Sequence, residues 1–125
     1  MKNITSANTI KKIKGMHISP YNTDTITRNA QVEIFLTVKH LDDAGLKRYI
    51  YNTLTYNSDI ADVASNVIAL NWYGWELDRN NDVEASQKYF DACNTICDAI
   101  YANASDEFVC AFKRIIDWMQ AYETF

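Results

Sequence analysis

The residues best suited to chemistry are two histidines, three cysteines and the carboxylates near them. His40, Asp42 and Asp43 form the densest group, and such a set could hold a metal ion or polarise an imidazole for acid–base work. The stretch LDDAG that contains the two aspartates has the composition of a turn. We therefore interpret this group as part of a solvated loop, and we interpret the isolated His17 as a structural residue.

The cysteines match neither a metal-binding nor a disulfide pattern. Cys93 and Cys97 are four residues apart, Cys110 follows in a later element, and the histidines add no ligand at metal spacing. An odd number of cysteines, in a chain that does not start with an apolar leader, also argues against a disulfide framework. We expect buried free thiols, no metal and no cofactor. Because glycine-rich phosphate loops and nucleophile motifs are missing from the sequence as well, we expect no enzymatic activity.

Binding through an aromatic and acidic surface is the alternative to catalysis. In NWYGWELD, Trp72 and Trp75 flank an apolar stripe, whereas Tyr73 lies off that stripe and is followed by acidic residues. Tyrosine is favoured in protein-binding hot spots because it supplies a large contact area at a small entropic cost. The residues predicted to contact a partner are Tyr49, Tyr51, Tyr73, Glu76, Asp78, Asp82, Glu84 and Asp91.

The charges are divided unequally between two parts of the chain. Residues 1–50 carry eight basic and four acidic residues, and residues 51–125 carry four basic and twelve acidic residues. The acidic part is either an ordinary solvated face or a surface whose long-range field attracts a basic protein partner. Nucleic acid is a less favoured partner, because a net charge of −4 repels a polyanion unless the two signs are well segregated.

These residues must be positioned by the elements of one domain, given a length of 125 residues. Residues 1–14 are polar and rich in lysine, and we predict a loosely held basic arm or a short helix there. Residues 31–39, QVEIFLTVK, alternate at a period of two, and residues 48–56, RYIYNTLTY, are β-branched and aromatic. Because both features are typical of strands, we predict a β-hairpin.

Three helices are predicted after the hairpin. Residues 58–79 place apolar side chains at steps of three and four over a wide arc, which indicates a central helix with Ser58 as its N-cap. Residues 83–104 form an amphipathic helix, and a last helix begins after Ser105. The predicted fold is α+β, an N-terminal β-hairpin packed beside three C-terminal α-helices. An all-α bundle is the alternative, because residues 46–54 also fit a helix capped by Asp43.

One family resemblance lies in the C-terminal half. NSD from Asn57, then QKYFDACNTICDAI, then SDEFVCAFKRIID resembles the order of segments in the helical half of plasmid antirestriction proteins of the KlcA type. The similarity depends mainly on Phe112, Arg114, Ile115, Ile116 and Asp117. That family has a Gly-Gly stretch before its helices that this chain lacks, so no functional residue is transferred. The resemblance implies a small protein without a catalytic site that relieves host restriction of incoming DNA.

The sequence therefore favours a small acidic inhibitor encoded by a mobile element, of the antirestriction or anti-CRISPR type, that occludes a basic surface of a host nuclease or complex. An immunity protein or antitoxin against a basic toxin is the first alternative, and an uncharacterised small enzyme is the second. No apolar run approaches the ~18 residues that span a membrane, so we expect no membrane contact and a cytoplasmic location.

Overall fold

The computed structural model describes residues 6–123, with the side chains of residues 6–120, and in this part of the chain it contains only helices and loops. The elements are α1 (Ala7–Lys14), α2 (Thr23–Glu33), a π-helical segment (Ile34–Val38), α3 (Asp43–Tyr56), α4 (Ile60–Arg79), α5 (Val83–Asn103) and α6 (Asp106–Glu123). One isolated β-bridge joins His17 and Asp59. The predicted α+β fold with a β-hairpin is wrong, and the all-α alternative is confirmed for the described residues.

The first predicted strand is instead the end of α2 and the π-helical segment that continues it. Buried or half-buried apolar positions recur every four residues, at Ile26, Ala30, Ile34 and Val38. The first steps, from Ile26 to Ile34, are the i, i+4 spacing of one face of an α-helix, and the wider π turn at Ile34–Val38 brings Val38 back to the same buried side. Val32 and Leu36, which a strand would place on the same face as Ile34, are exposed.

The second predicted strand is α3. The Oδ1 atom of Asp42 accepts a hydrogen bond from the Gly45 backbone N–H at 2.7 Å, which caps the helix one residue before the expected Asp43. Leu46, Thr53 and Leu54 are then buried along one side of the helix. Strand propensity of β-branched and aromatic residues is a weak preference, and here the burial of this helical face overrides it.

The central helix is confirmed as α4, which packs against α2, α5 and α6. Asp59 rather than Ser58 caps it, because the Asp59 Oδ2 atom accepts from the Ala61 backbone N–H at 3.3 Å. Gly74 allows a close approach to α5, since a Cβ atom at this position would lie 2.7 Å from Cε1 of Phe90. The helices α5 and α6 also begin near their predicted starts.

The described part of the predicted basic arm is a helix that is attached to the core. Ser6 caps α1 by accepting from the Thr9 backbone N–H at 3.2 Å, and Thr9 and Ile13 are fully buried. The helix packs against α3 and α5, and its three lysines are exposed. Residues 1–5 of the predicted arm lie outside the described residues.

Candidate functional site

The group that the sequence suggested for chemistry is dispersed in the structure. His40 has a φ of 60°, and its Nδ1 atom lies 3.5 Å from the hydroxyl of Tyr73. Asp42 caps α3, whereas Asp43 pairs with Lys88 at 3.1 Å and thereby raises the pKa of this lysine. In the described part of the chain no three His, Cys, Asp or Glu side chains converge to hold a metal ion.

The three thiols differ in their surroundings. Cys93 is buried, and its Sγ atom donates to the Val67 carbonyl at 3.4 Å. Cys97 is half-buried, and burial raises the pKa of its thiol to about 11. A raised pKa keeps a thiol protonated near neutral pH and therefore weakly nucleophilic. Cys110 is exposed, which corrects the expectation that all three cysteines are buried.

Tyr89 holds a short connecting segment, residues 38–41, which runs from the last residue of the π-helical segment toward α3. The Tyr89 hydroxyl donates to the Val38 carbonyl at 2.6 Å and accepts from the Leu41 backbone N–H at 2.9 Å. Its ring packs against Tyr73 with 5.0 Å between the centroids. Burial raises the pKa of Tyr89 to about 12, so the hydroxyl is neutral and can make both bonds near pH 7. The connecting segment is therefore fixed on α5.

An exposed apolar patch lies before the connecting segment. Phe35 is 73% exposed, Leu36 is 76% exposed and Val32 is 51% exposed. The Nζ atom of Lys39 lies 4.7 Å from the centroid of the Phe35 ring, which is a cation–π geometry. Clustered large apolar side chains in water mark interaction sites, and short π-helical turns are frequent at functional sites. We call Val32, Phe35 and Leu36 the apolar patch.

An acidic cleft lies after the connecting segment. Asp42 and Asp43 at the start of α3 and Asp82 and Glu84 at the start of α5 line one cavity of about 450 Å³. Lys88 lines the same cavity, so four carboxylates face one described cation. Asp82 also caps α5, because its Oδ1 atom accepts from a backbone N–H of the first turn. We call these four carboxylate residues the acidic cleft.

Five of the residues predicted to contact a partner are acidic, and of these only Asp82 and Glu84 line this cleft. Glu76 and Asp91 are exposed on α4 and α5, and Asp78 is half-buried. These three residues are not among the lining residues of the cleft. The structure therefore brings two predicted contact residues, Asp82 and Glu84, together with Asp42 and Asp43, for which the sequence predicts only a solvated loop.

The predicted tyrosines are engaged within the fold. Tyr73 is only 5% exposed, because its ring lies against Tyr89 and His40. The Tyr49 hydroxyl donates to Asn66, and burial raises the pKa of Tyr49 well above its usual value. Tyr51 is half-buried on α3. Tyr49 and Tyr73 are thus unsuitable as surface contacts, and we leave both out of the proposed surface.

Sequence reasoning missed the apolar patch because the strand interpretation placed Val32 and Leu36 on a buried face. A signal was nevertheless present in the sequence. The four-residue repeat of apolar positions from Ile26 to Val38 accounts for the buried line and leaves Val32, Phe35 and Leu36 outside it. A helix with surplus large apolar residues off its buried line indicates a second contact surface.

Comparison with known proteins adds no assignment. No protein-family model, curated protein or solved structure matches this chain. The resemblance to antirestriction proteins of the KlcA type therefore stays a prediction. Among the helices between residues 6 and 123, none combines the length and the apolar character needed to cross a bilayer. The function has to be inferred from the two surfaces on either side of the connecting segment.

Proposed function

We propose that this protein is a non-enzymatic binding protein whose apolar patch and acidic cleft form one surface for a protein partner. The observation that carries the proposal is the exposure of Phe35 and Leu36, each above 70%. Full burial of a side chain of this size is worth about 1.5–3 kcal/mol. Burial of both side chains under a partner would contribute this free energy to binding, because both are left in water in the isolated chain.

The acidic cleft defines the chemistry of the partner. Leu36 and Asp42 are six residues apart in the sequence, so their Cα atoms are at most about 22 Å apart even in a fully extended chain. An interface of ordinary size, about 800 Å² on each partner, can span this distance. Exposed carboxylates attract a surface of opposite sign and disfavour an acidic one. The proposed partner therefore presents basic side chains beside an apolar cavity.

In its most concrete form, the proposed function is that of a mobile-element inhibitor of the antirestriction or anti-CRISPR type that acts in the cytoplasm. Nucleases expose basic surfaces because they bind phosphates. An acidic protein that covers such a surface competes with nucleic acid for it. The resemblance of the C-terminal half to antirestriction proteins supports this class of partner. An immunity protein against a basic toxin would use the same chemistry, and the identity of the bound partner distinguishes the two.

The proposal is tested by affinity capture from a host lysate, with variants of each surface. Phe35→Gln with Leu36→Gln removes the apolar patch but keeps good helix formers. Asp82→Asn with Glu84→Gln removes two charges and preserves the cap, because asparagine caps helices as well as aspartate. We expect wild type to capture one basic nuclease or nuclease complex, and both variants to capture less of it.

Salt and a matched control complete the experiment. Raising the salt concentration should release the partner, because screening weakens the attraction between exposed charges. Asp98→Asn with Glu107→Gln removes two exposed charges elsewhere, on α5 and α6, and should leave capture unchanged. Thermal unfolding of every variant checks that the fold is kept. Equal capture by wild type and by both surface variants would refute the proposed surface.

A further inference from the structure

A second surface, on α3, has a different chemistry from the protein-binding surface. A cavity of about 680 Å³ runs along this helix, and its lining consists of Asp43, Ala44, Lys47, Arg48, Tyr51, Asn52 and Tyr56. Lys47 and Arg48 are exposed. Asp43 is the one acid among the described lining residues, and its carboxylate pairs with Lys88 at 3.1 Å. We call this surface the basic groove.

The basic groove has an aromatic side chain at one end. Tyr56 is 69% exposed, and its ring meets the ring of Tyr51 at an interplanar angle of 84° with 6.2 Å between the centroids. This contact orients Tyr56 while most of the side chain stays in solvent. Exposed aromatic rings beside cations are the elements with which proteins bind single strands, because every nucleobase has a face that can stack.

The neighbouring helix extends the positive charge. Helix α1 packs against α3, and its Lys11, Lys12 and Lys14 are exposed. Together, α1 and α3 contain five basic residues and one acidic residue, Asp43. These two helices are therefore mainly basic, although the net charge of the whole chain is −4 and the acidic cleft includes the first residue of α3. A local excess of positive charge of this kind attracts phosphates even on a chain that is acidic overall.

We propose that the basic groove binds single-stranded nucleic acid, with phosphates at Lys47 and Arg48 and a nucleobase stacked on Tyr56. A single strand fits better than a duplex, because its unstacked bases can reach an aromatic side chain. The inference goes beyond the proposed protein-binding function. The groove meets the acidic cleft at Asp43, but Lys47, Arg48 and Tyr56 line only the groove, so the two sites can be tested separately.

The test is fluorescence anisotropy of the full chain with a labelled 15-nucleotide oligothymidylate, titrated at several salt concentrations. Lys47→Ala with Arg48→Ala should reduce the slope of log affinity against log salt by about 1.4, at about 0.7 per phosphate contact. Tyr56→Ala should weaken binding by about tenfold, which corresponds to 1.4 kcal/mol of stacking. Tyr56→Phe keeps the ring and should bind like wild type.

The control is Lys113→Ala with Arg114→Ala, which removes the same charge from α6 and should leave the salt slope unchanged. The replaced side chains of the groove, Lys47, Arg48 and Tyr56, are all exposed, and circular dichroism checks that each variant is folded. The proposal is overturned if wild type shows no binding at 50 mM salt, if a duplex binds as tightly as the single strand, or if the Lys47 and Arg48 variant keeps the wild-type slope. Retained binding by the Phe35 and Leu36 variant separates this site from the protein-binding surface.

Discussion

Replacing Tyr89 with phenylalanine tests whether one hydroxyl group fixes the segment between the apolar patch and the acidic cleft. The change keeps the ring and its packing but removes the bonds to the Val38 carbonyl, at 2.6 Å, and the Leu41 N–H, at 2.9 Å. A buried polar backbone group that loses its partner costs roughly 1–3 kcal/mol. Val38 is fully buried, whereas Leu41 is half-buried and more open to water. We expect Tyr89→Phe to lower the free energy of unfolding by about 2–3 kcal/mol.

Urea unfolding followed by circular dichroism measures this loss. The denaturant slope should stay unchanged, because the surface exposed on unfolding is the same in both proteins. Hydrogen exchange should accelerate at the Leu41 amide, whose described hydrogen bond to Tyr89 is removed. Tyr21→Phe is the matched control, since this tyrosine is 39% exposed and its change should stay within about 0.5 kcal/mol.

The reasoning is refuted if Tyr89→Phe costs less than about 0.5 kcal/mol and leaves the exchange of the Leu41 amide unaltered. Such a result would mean that water or a rearranged backbone satisfies both groups without the hydroxyl. The connecting segment would then be held by its other packing, and the spacing between the apolar patch and the acidic cleft would not depend on Tyr89.

Two further predictions concern ionisation and thiol access. Stability should fall as pH rises from 9 to 12, because the folded pKa values of Cys97 and Tyr101, about 11 and about 12, exceed the unfolded values of 9.0 and 10.0. The folded state thus binds more protons than the unfolded state in this range, so the stability that these two groups contribute is complete below pH 9 and is lost as the pH rises toward 12. Urea midpoints measured across this range check the prediction, and the midpoint of Cys97→Ala should fall less than that of wild type. A thiol reagent should modify the exposed Cys110 first, Cys97 slowly and the buried Cys93 only on unfolding; mass spectrometry measures the order, and equal rates would contradict it.

The three C-terminal helices could be predicted because their signals are local. The apolar residues of α4 repeat at helical spacing, and acidic or hydroxyl side chains mark the starts of α4, α5 and α6. The N-terminal half carries weaker signals. In residues 31–39 a π-helical segment changes the repeat, so the apolar residues fit an alternating pattern better than an α-helical one.

For the candidate site, only the negative charge could be predicted from the sequence. The acidic composition of the C-terminal part points to Asp82 and Glu84, but their cleft also needs Asp42 and Asp43 at the start of α3. These four residues meet because α3 packs against α5, a tertiary contact with no local signal in the sequence. The sequence likewise predicts an exposed Tyr73, because the ring of Tyr89 that covers it belongs to a different helix.

The π-helical segment also determines which kind of genetic change would alter this molecule most. Each residue of an α-helix turns the chain by about 100°, so one residue more or less rotates everything that follows. The wider turn at Ile34–Val38 accommodates the extra length and still returns Val38 to the buried side. Deleting one residue in this segment would rotate Phe35 or the start of α3 about the helix axis. Most substitutions in the segment would change only the size or polarity of a side chain that is already exposed.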